Sequence, residues 1–142
     1  MRVIIAGSRG FDNYEKFSEV LLKTISIKNI DVTRVVSGGA SGVDTMAIRW
    51  AQVYDIPCDI YPAAWNDITT PPVKIAKNKY GKPYNKLAGF NRNVRMANNA
   101  DALIAFWDGK SPGTKHMIDT ATEKGLIWVV IKVSVTLVKI GE

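Results

Sequence analysis

The chain has little of the chemistry on which disulfide-bonded, metal-binding or cysteine-dependent proteins rely. Its 142 residues include one cysteine, Cys58, and one histidine, His116. A single cysteine excludes an internal disulfide and a cysteine-based zinc site, and it is typical of proteins in a reducing compartment. A lone histidine leaves little for a Ser-His-Asp triad or a multi-histidine metal site. We therefore expect no metal or cofactor, a buried and inert Cys58, and a solvated or packed His116 rather than a catalytic base.

Long hydrophobic runs are also missing. No stretch of about 18 apolar residues occurs, and the first residues begin a strand pattern rather than a charged and apolar leader. The sequence therefore predicts a cytoplasmic protein that does not contact a membrane. With 46% hydrophobic and 23% charged residues, the composition is typical of one globular domain, which we expect to comprise residues 1–142.

Acidic residues are absent from residues 69–100, although the whole chain carries a net charge of +6. Proline and glycine punctuate part of this stretch, so we predict a long loop at about 62–88 with one helical turn near 73–76. Its tyrosines, Tyr80 and Tyr84, favour partial order and lie among basic residues. An anionic partner such as nucleic acid is one interpretation, and a solvated lysine-rich loop is the other. The basic residues are Lys74, Lys77, Lys79, Lys82, Lys86, Arg92 and Arg95.

Strand and helix patterns alternate along the rest of the chain. Short β-branched or apolar runs predict strands at 2–7, 33–37, 58–61, 102–107, 127–132 and 135–140. Helical spacing predicts helices at about 13–28, 43–54, 89–99 and 114–124. This alternation indicates an α/β fold with an open, mainly parallel sheet and helices on both faces. Ligands of such sheets bind beyond the carboxyl ends of the strands.

Three loops at those ends carry residues suited to binding an anion. Arg9 offers bidentate contacts to a phosphate, and the glycines before the second and fourth helices expose backbone N–H groups. Asp44 either favours the helix dipole or accepts hydrogen bonds from a ribose, and Trp107 either stacks on a base or belongs to the core. One of Arg92 and Arg95 is expected to point into the cleft. The predicted ligand-binding residues are Gly7, Ser8, Arg9, Ser37, Gly38, Gly39, Ala40, Ser41, Gly42, Asp44, Asn91, Arg92, Trp107, Gly109, Ser111, Gly113 and Thr114.

Four sequence blocks together resemble the YspA-like branch of the SLOG superfamily. They are RVIIAGSRGF at 2–11, VSGGASGVDTMA at 36–47, NRNVRM at 91–96 and ADALIAFWDGKSPGT at 100–114. The resemblance implies a Rossmann-like fold with a pocket for nucleotides or nucleotide-derived molecules. It also implies relatives of several kinds: cytokinin-activating phosphoribohydrolases, the DNA-processing protein DprA, and ligand sensors of antiphage systems.

The pattern departs from that of the phosphoribohydrolases at one position. Their Pro-Gly-Gly-x-Gly-Thr-x-x-Glu motif carries a catalytic glutamate, and here the corresponding residue is Met117, whereas Arg92 matches their assisting arginine. Methionine neither takes a proton nor stabilises an oxocarbenium-like charge as a carboxylate does. If the protein is an enzyme, Arg92 with Asp44, Asp108 or Asp119 would have to carry the reaction.

These observations favour a binding protein over an enzyme. The leading hypothesis is a sensor or sequestering protein for a small phosphorylated nucleotide derivative, for example a phage-related or defence-related signal. The alternatives are an N-glycosidase acting on nucleoside monophosphates and a DprA-like protein that binds single-stranded nucleic acid through Lys74, Lys77, Lys79, Lys82 and Lys86. We also expect a homodimer or tetramer, with the apolar residues 133–140 at an interface.

Overall fold

The structure, a computed structural model, describes residues 1–134. The strands within that range are β1 (Arg2–Gly7), β2 (Arg34–Ser37), β3 (Cys58–Ile60), β4 (Ile75–Lys77), β5 (Pro83–Asn85), β6 (Ala102–Trp107) and β7 (Ile127–Lys132). Five of them form a parallel sheet in the order β3-β2-β1-β6-β7, and β4 and β5 pair separately as an antiparallel hairpin. The helices are α1 (Tyr14–Lys28), α2 (Val43–Val53), α3 (Ala88–Asn98) and α4 (Pro112–Glu123).

The central strand β1 contributes to a core on each side of the sheet because successive strand side chains point to opposite faces. Val3 and Ile5 pack in one apolar cluster with Phe17 of α1 and Trp50 of α2. Ile4 and Ala6 belong to the other cluster, which includes Met96 of α3 and Met117 of α4. The predicted α/β fold with a parallel sheet and helices on both faces is therefore confirmed. Residues 135–140, predicted as a strand, and most of the predicted interface segment 133–140 lie outside the described residues.

The helical turn predicted at 73–76 is wrong, and the predicted loop at about 62–88 contains two short strands. Residues 75–77 pair with residues 83–85, so the segment contains a β-hairpin. Its turn is organised by Asn78, whose side-chain oxygen accepts hydrogen bonds from the backbone N–H groups of Tyr80 and Lys82. Pro71, Pro72, Gly81 and Pro83 punctuate this segment, and such residues predict turns and loops, which is why the hairpin strands were not predicted.

Two further observations bear on the sequence predictions. Cys58 is half-buried at the start of β3 rather than fully buried, and burial raises the pKa of its thiol. Within residues 1–134 no helix combines the length and apolar character needed to cross a membrane.

Candidate functional site

A cleft made of two adjoining cavities lies beyond the carboxyl ends of β1, β2 and β6. The larger cavity has a volume of about 450 Å³ and the smaller about 330 Å³. Four residues line both: Arg9, Ala40, Trp65 and Arg92. The loops after β1, β2 and β6 contribute to the walls, as the strand order predicts, because three parallel neighbouring strands end at one edge of the sheet.

The loop after β1 presents Arg9 to both cavities. Its side chain is exposed and forms no hydrogen bond or ion pair with any residue in the described range 1–134. The preceding Ser8 is buried, and its hydroxyl accepts hydrogen bonds from the backbone N–H of Asp108 and the hydroxyl of Ser111. Ser8 therefore fixes the loop, whereas Arg9 has a guanidinium group available for a ligand.

The loop after β2 is held by hydrogen bonds to Asp44. The hydroxyl of Ser37 donates to the backbone oxygen of Asp44, and the backbone N–H of Ala40 donates to its carboxylate at 3.1 Å. Gly42, the residue before α2, has a φ of 75°, and a Cβ there would lie 2.5 Å from the backbone oxygen of Arg9. Only glycine therefore permits this approach of the two loops.

Asp44 is buried on the cavity wall, and this burial raises the pKa of its carboxyl group to about 6. The hydrogen bond from Ala40 and the positive charges of Arg92 and Arg9 oppose the shift but do not cancel it. Asp44 is the one carboxylate among the described residues that line the two cavities. The group is therefore poised to exchange a proton near neutral pH.

Arg92 on α3 is buried beneath the cleft and ties the neighbouring loops together. Its Nη1 donates to the backbone oxygens of Gly38 and Tyr61, and its Nε donates to the side chain of Asn93. Burial lowers the pKa of the guanidinium, although Asp44 acts in the opposite direction. Its Nη2 forms no hydrogen bond with the described part of the chain. Arg95, by contrast, is exposed and donates to the backbone oxygen of Pro62.

The loop after β6 folds around Asp108. The carboxylate accepts hydrogen bonds from the backbone N–H groups of Ser111 and Lys110, which lower the pKa of Asp108 to about 2. The indole N–H of Trp107 donates to the backbone oxygen of Ser111. Asp108 and Trp107 thus shape the loop, and neither lines the cleft.

Three helices, α2, α3 and α4, begin at the cleft without a capping side chain. Neither Gly42 at α2 nor Ser111 at α4 supplies a side-chain cap, whereas Asn13 caps α1 by accepting from the N–H of Lys16. The first residues of α4 after its cap, Pro112, Gly113 and Thr114, line the larger cavity. Uncapped N–H groups and the positive end of the helix dipole favour an anion at such a place.

Aromatic side chains form another part of the wall. Trp65 and Phe90 are 40% and 39% exposed and both line the larger cavity. The ring of Phe90 stacks on that of His116 with centroids 4.1 Å apart and planes 8° apart. His116 contacts Asn93 and Thr120 through its two ring nitrogens, and burial lowers its pKa. It is therefore packed against the wall, as expected.

The structure brings most of the predicted ligand-binding residues to the cleft. Those on its walls are Gly7, Arg9, Gly38, Gly39, Ala40, Ser41, Asp44, Arg92, Ser111, Gly113 and Thr114. Those that line neither cavity are Ser8, Ser37, Gly42, Asn91, Trp107 and Gly109. Several of this latter group hold the loops in shape; Asn91, for example, donates to the backbone oxygen of Pro72. The roles of both groups in binding stay predictions.

Sequence reasoning missed several wall residues. Trp65, Phe90, Asn93 and Met96 line the larger cavity, and so does Met117, which was considered only as a missing glutamate. Trp65 lies in the segment predicted as a loop, and Phe90 was assigned to the apolar face of its helix. An aromatic residue close to a basic segment, Trp65, is a signal that the sequence does contain.

The five lysines of the basic segment divide between two places. Lys86 lines the larger cavity. The others, Lys74, Lys77, Lys79 and Lys82, are exposed on or beside the hairpin and do not line the cleft. Across residues 1–134, no three His, Cys, Asp or Glu side chains cluster so that they could hold a metal ion.

Comparisons with known proteins agree with this architecture. Residues 1–67 match the YAcAr family, described as YspA, cpYpsA-related SLOG family, so the resemblance expected from the sequence is confirmed. The chain is 28% identical over 131 residues to the Gene 61 protein of Mycobacterium phage D29. This match covers 88% of this chain and 91% of the phage protein.

The fold is also similar to that of a solved structure. The match to the X-ray structure of DNA processing protein A (DprA) from Streptococcus pneumoniae has a TM-score of 0.65 and 20% sequence identity. It covers 95% of this chain and 51% of that one, so the chain spans about half the length of that DprA. At this identity the likeness concerns the fold.

Proposed function

We propose that this chain, whose residues 1–67 match a SLOG family, binds a small phosphorylated nucleotide derivative in its cleft and acts as a sensor or sequestering protein. The observation that carries the proposal is Arg9. Its guanidinium stands on a wall shared by both cavities and has no partner among the described residues. An unpaired arginine beside uncapped helix ends is suited to a phosphate group.

The charge of the cleft supports the same ligand. Arg9, Lys86 and Arg92 line it, and the carboxylate of Asp44 is the opposing charge on the described walls. The raised pKa of Asp44 lets this group become neutral at modest cost when an anion binds. A cavity of about 450 Å³ lies within the range of small-molecule sites.

The experiment is to identify what the purified protein retains from a mixture of nucleotides. The protein is incubated with nucleoside monophosphates, cyclic nucleotides and ADP-ribose-type molecules, washed, denatured by heat, and the released molecules are analysed by mass spectrometry. We expect an intact phosphorylated nucleotide in a one-to-one ratio with the protein.

Two single-charge variants test the site. Arg9→Ala should lower retention of that nucleotide at least tenfold, because it removes the guanidinium from the cleft. Lys110→Ala is the matched control, since it removes an equal charge from a neighbouring exposed loop position that does not line the cleft. Equal retention by the wild type and Arg9→Ala would reject the proposed site.

A second candidate function, an N-glycosidase, is favoured by one observation, the buried Asp44. A carboxyl group with a pKa of about 6 on the wall of the larger cavity has the properties of a general acid or base. In that reaction water attacks the anomeric carbon of a nucleoside monophosphate, the N-glycosidic bond breaks, and the base leaves with a proton. Asp44 would exchange this proton or stabilise the developing positive charge.

The two candidates predict different products. An enzyme releases free base and ribose 5-phosphate, and Asp44→Asn abolishes that release while the variant still retains the nucleotide. A binding protein releases the intact nucleotide from both forms. Mass spectrometry of the same denatured samples separates these results.

A further inference from the structure

Trp65 and Phe90 stand on the cavity wall without a role in phosphate binding. We propose that they form the subsite for a planar nucleobase, so that the ligand is recognised through its base as well as its phosphate. This inference rests on the proposed function and specifies the ligand further.

Trp65 packs beside the first turn of α3, and Phe90 belongs to that turn. A Cβ at Gly89 would lie 3.3 Å from the outer edge of the Trp65 indole and 3.9 Å from Nη2 of Arg92. The absence of a side chain at Gly89 therefore lets the indole lie against the helix, with the guanidinium nearby. Phe90 follows directly and lines the same cavity. Trp65, Phe90 and Arg92 thus place an indole, a phenyl ring and a guanidinium group on the lining of the same cavity.

Both rings are held in position by the protein. Phe90 stacks on His116, whose ring nitrogens contact the side chains of Asn93 at 3.1 Å and Thr120 at 3.5 Å. Trp65 packs edge to face with Tyr84 of the hairpin, and its backbone oxygen accepts from the N–H of Asn85. Rings that are fixed before binding lose little conformational freedom when a ligand arrives.

A base suits this subsite better than a second sugar phosphate. Stacking of a planar π-system on large apolar rings that are exposed in a cavity is favourable, because it removes their surface from water. A second phosphate at this place would be unfavourable, because it would lose its hydration. Base stacking on aromatic side chains is tolerant of base identity, because every base has a π-face. The subsite therefore predicts affinity for several nucleotides rather than strict selection of one.

The test compares ligands with and without a base. Affinities for AMP, GMP, CMP, UMP and ribose 5-phosphate are measured by calorimetry for the wild type, Trp65→Ala and Phe90→Ala. We expect the nucleotides to bind the wild type at least about tenfold more tightly than ribose 5-phosphate, given the usual strength of base stacking. Each aromatic variant should lose most of that advantage and bind ribose 5-phosphate like the wild type.

Two variants serve as matched controls. Val94→Ala removes an exposed apolar side chain from the same helix, and Trp128→Ala removes an exposed indole from β7. Neither residue lines the cleft, so both should keep the nucleotide advantage. As a second readout, a nucleotide should quench the fluorescence of the wild type, and Trp65→Phe should bind it with much less quenching.

The outcomes separate this inference from the proposed function. If the wild type binds ribose 5-phosphate in an Arg9-dependent manner but binds the nucleotides no better, the base subsite is wrong and the phosphate site stands. The same conclusion follows if the aromatic variants keep the full advantage. If neither class of ligand binds the wild type, the proposed function fails and the inference fails with it.

Discussion

At the scale of single residues, Asp44 links the cleft to the stability of the fold. The pKa of its carboxyl group is about 6 in the folded chain and 3.8 as an isolated group. A carboxyl group whose pKa is higher in the folded chain than in the unfolded chain stabilises the fold when the pH is below its unfolded-state pKa. This contribution is lost as the pH rises through its folded-state pKa. We therefore expect the wild type to lose about 2 kcal/mol of stability from this group between pH 4 and pH 7.

Asp44→Asn should remove this loss, because the amide stays neutral and its oxygen still accepts from Ala40. Urea unfolding across that pH range should show the two proteins equally stable near pH 4 and the variant more stable near pH 7. Asp108→Asn is the control, because the pKa of Asp108 is shifted in the opposite direction. Hydrogen bonds hold this pKa at about 2, so the contribution of Asp108 to stability is lost only at pH values below this range. A constant difference between wild type and Asp44→Asn would show that Asp44 does not titrate in this range.

Much of the site is readable from single residues in the sequence. Arg9, the glycines of 38–42 and the residues 111–114 follow strands, and parallel neighbours bring such loops together. The sequence does not show which side chains of these loops are exposed in the cleft and which are buried within the loop. Ser8 and Arg9 are adjacent and both polar, yet one is buried in the loop and the other is free. That difference depends on Ser111, which is distant along the chain.

At the scale of elements, the start of α2 depends on a close approach between two loops. Gly42 has a positive φ, and an added Cβ would meet the backbone of Arg9 at 2.5 Å. We expect Gly42→Ala to lower the free energy of unfolding by about 1–3 kcal/mol, because the strained backbone conformation and the clash with Arg9 both destabilise the folded state. It should also weaken nucleotide binding, because relief of the clash moves Arg9.

Gly113→Ala is the matched control at the start of α4. A Cβ there would meet nothing within 4 Å, and its φ is not in the left-handed region. The substitution should leave stability unchanged or raise it by roughly 0.5–1 kcal/mol, because alanine favours the helix. Thermal unfolding of both variants gives the comparison, and equal destabilisation of the two would contradict the role assigned to Gly42.

The hairpin depends on one buried side chain. The amide oxygen of Asn85 accepts from the backbone N–H groups of Lys74 and Leu87, and its nitrogen donates to the oxygen of Pro72. Asn85→Ala should cost about 1–3 kcal/mol, because it leaves partly buried backbone groups unpaired. Since the backbone of Asn85 also contacts Trp65, the variant should lose affinity for nucleotides.

Limited proteolysis is a direct measurement of this effect. Asn85→Ala should be cut within residues 62–87 faster than the wild type. Asn78→Ala, at the exposed turn of the same hairpin, should be cut faster only near the turn and should bind nucleotides normally. Unchanged cutting of Asn85→Ala would show that the hairpin does not need this side chain.

The elements themselves differ in how far the sequence predicts them. The β-branched run of β1 and the apolar run of β6 are clear signals of buried parallel strands, and both strands begin and end as predicted. The hairpin was not predicted, because prolines and a glycine punctuate its segment and because it is stabilised by the side chains of Asn78 and Asn85. Hydrogen bonds of this kind leave no periodic pattern in the sequence.

At the scale of the whole molecule, the uneven charge raises the alternative of nucleic-acid binding. Four exposed lysines lie on or beside the hairpin with Tyr80, whose side chain is 79% exposed. Because this surface is separate from the cleft walls, the two kinds of binding are separable. We expect any binding of a single strand to the hairpin to be mainly electrostatic, since Tyr80 is the one strongly exposed ring there.

The variant Lys77→Gln, Lys79→Gln, Lys82→Gln tests this expectation. The affinity of the wild type for a fluorescein-labelled oligothymidylate, measured by fluorescence anisotropy, should fall steeply as the salt concentration rises. In a plot of the logarithm of the binding constant against the logarithm of the salt concentration, the loss of three phosphate contacts should reduce the slope of the variant by about 2. Nucleotide binding in the cleft should stay within about twofold of wild type, since Debye screening weakens the effect of distant exposed charges. The opposite result would be a triple variant that no longer binds the nucleotide but binds the oligonucleotide like the wild type. In that case nucleotide binding in the cleft depends on the hairpin charge, and the division of the molecule into two anion-binding surfaces is wrong.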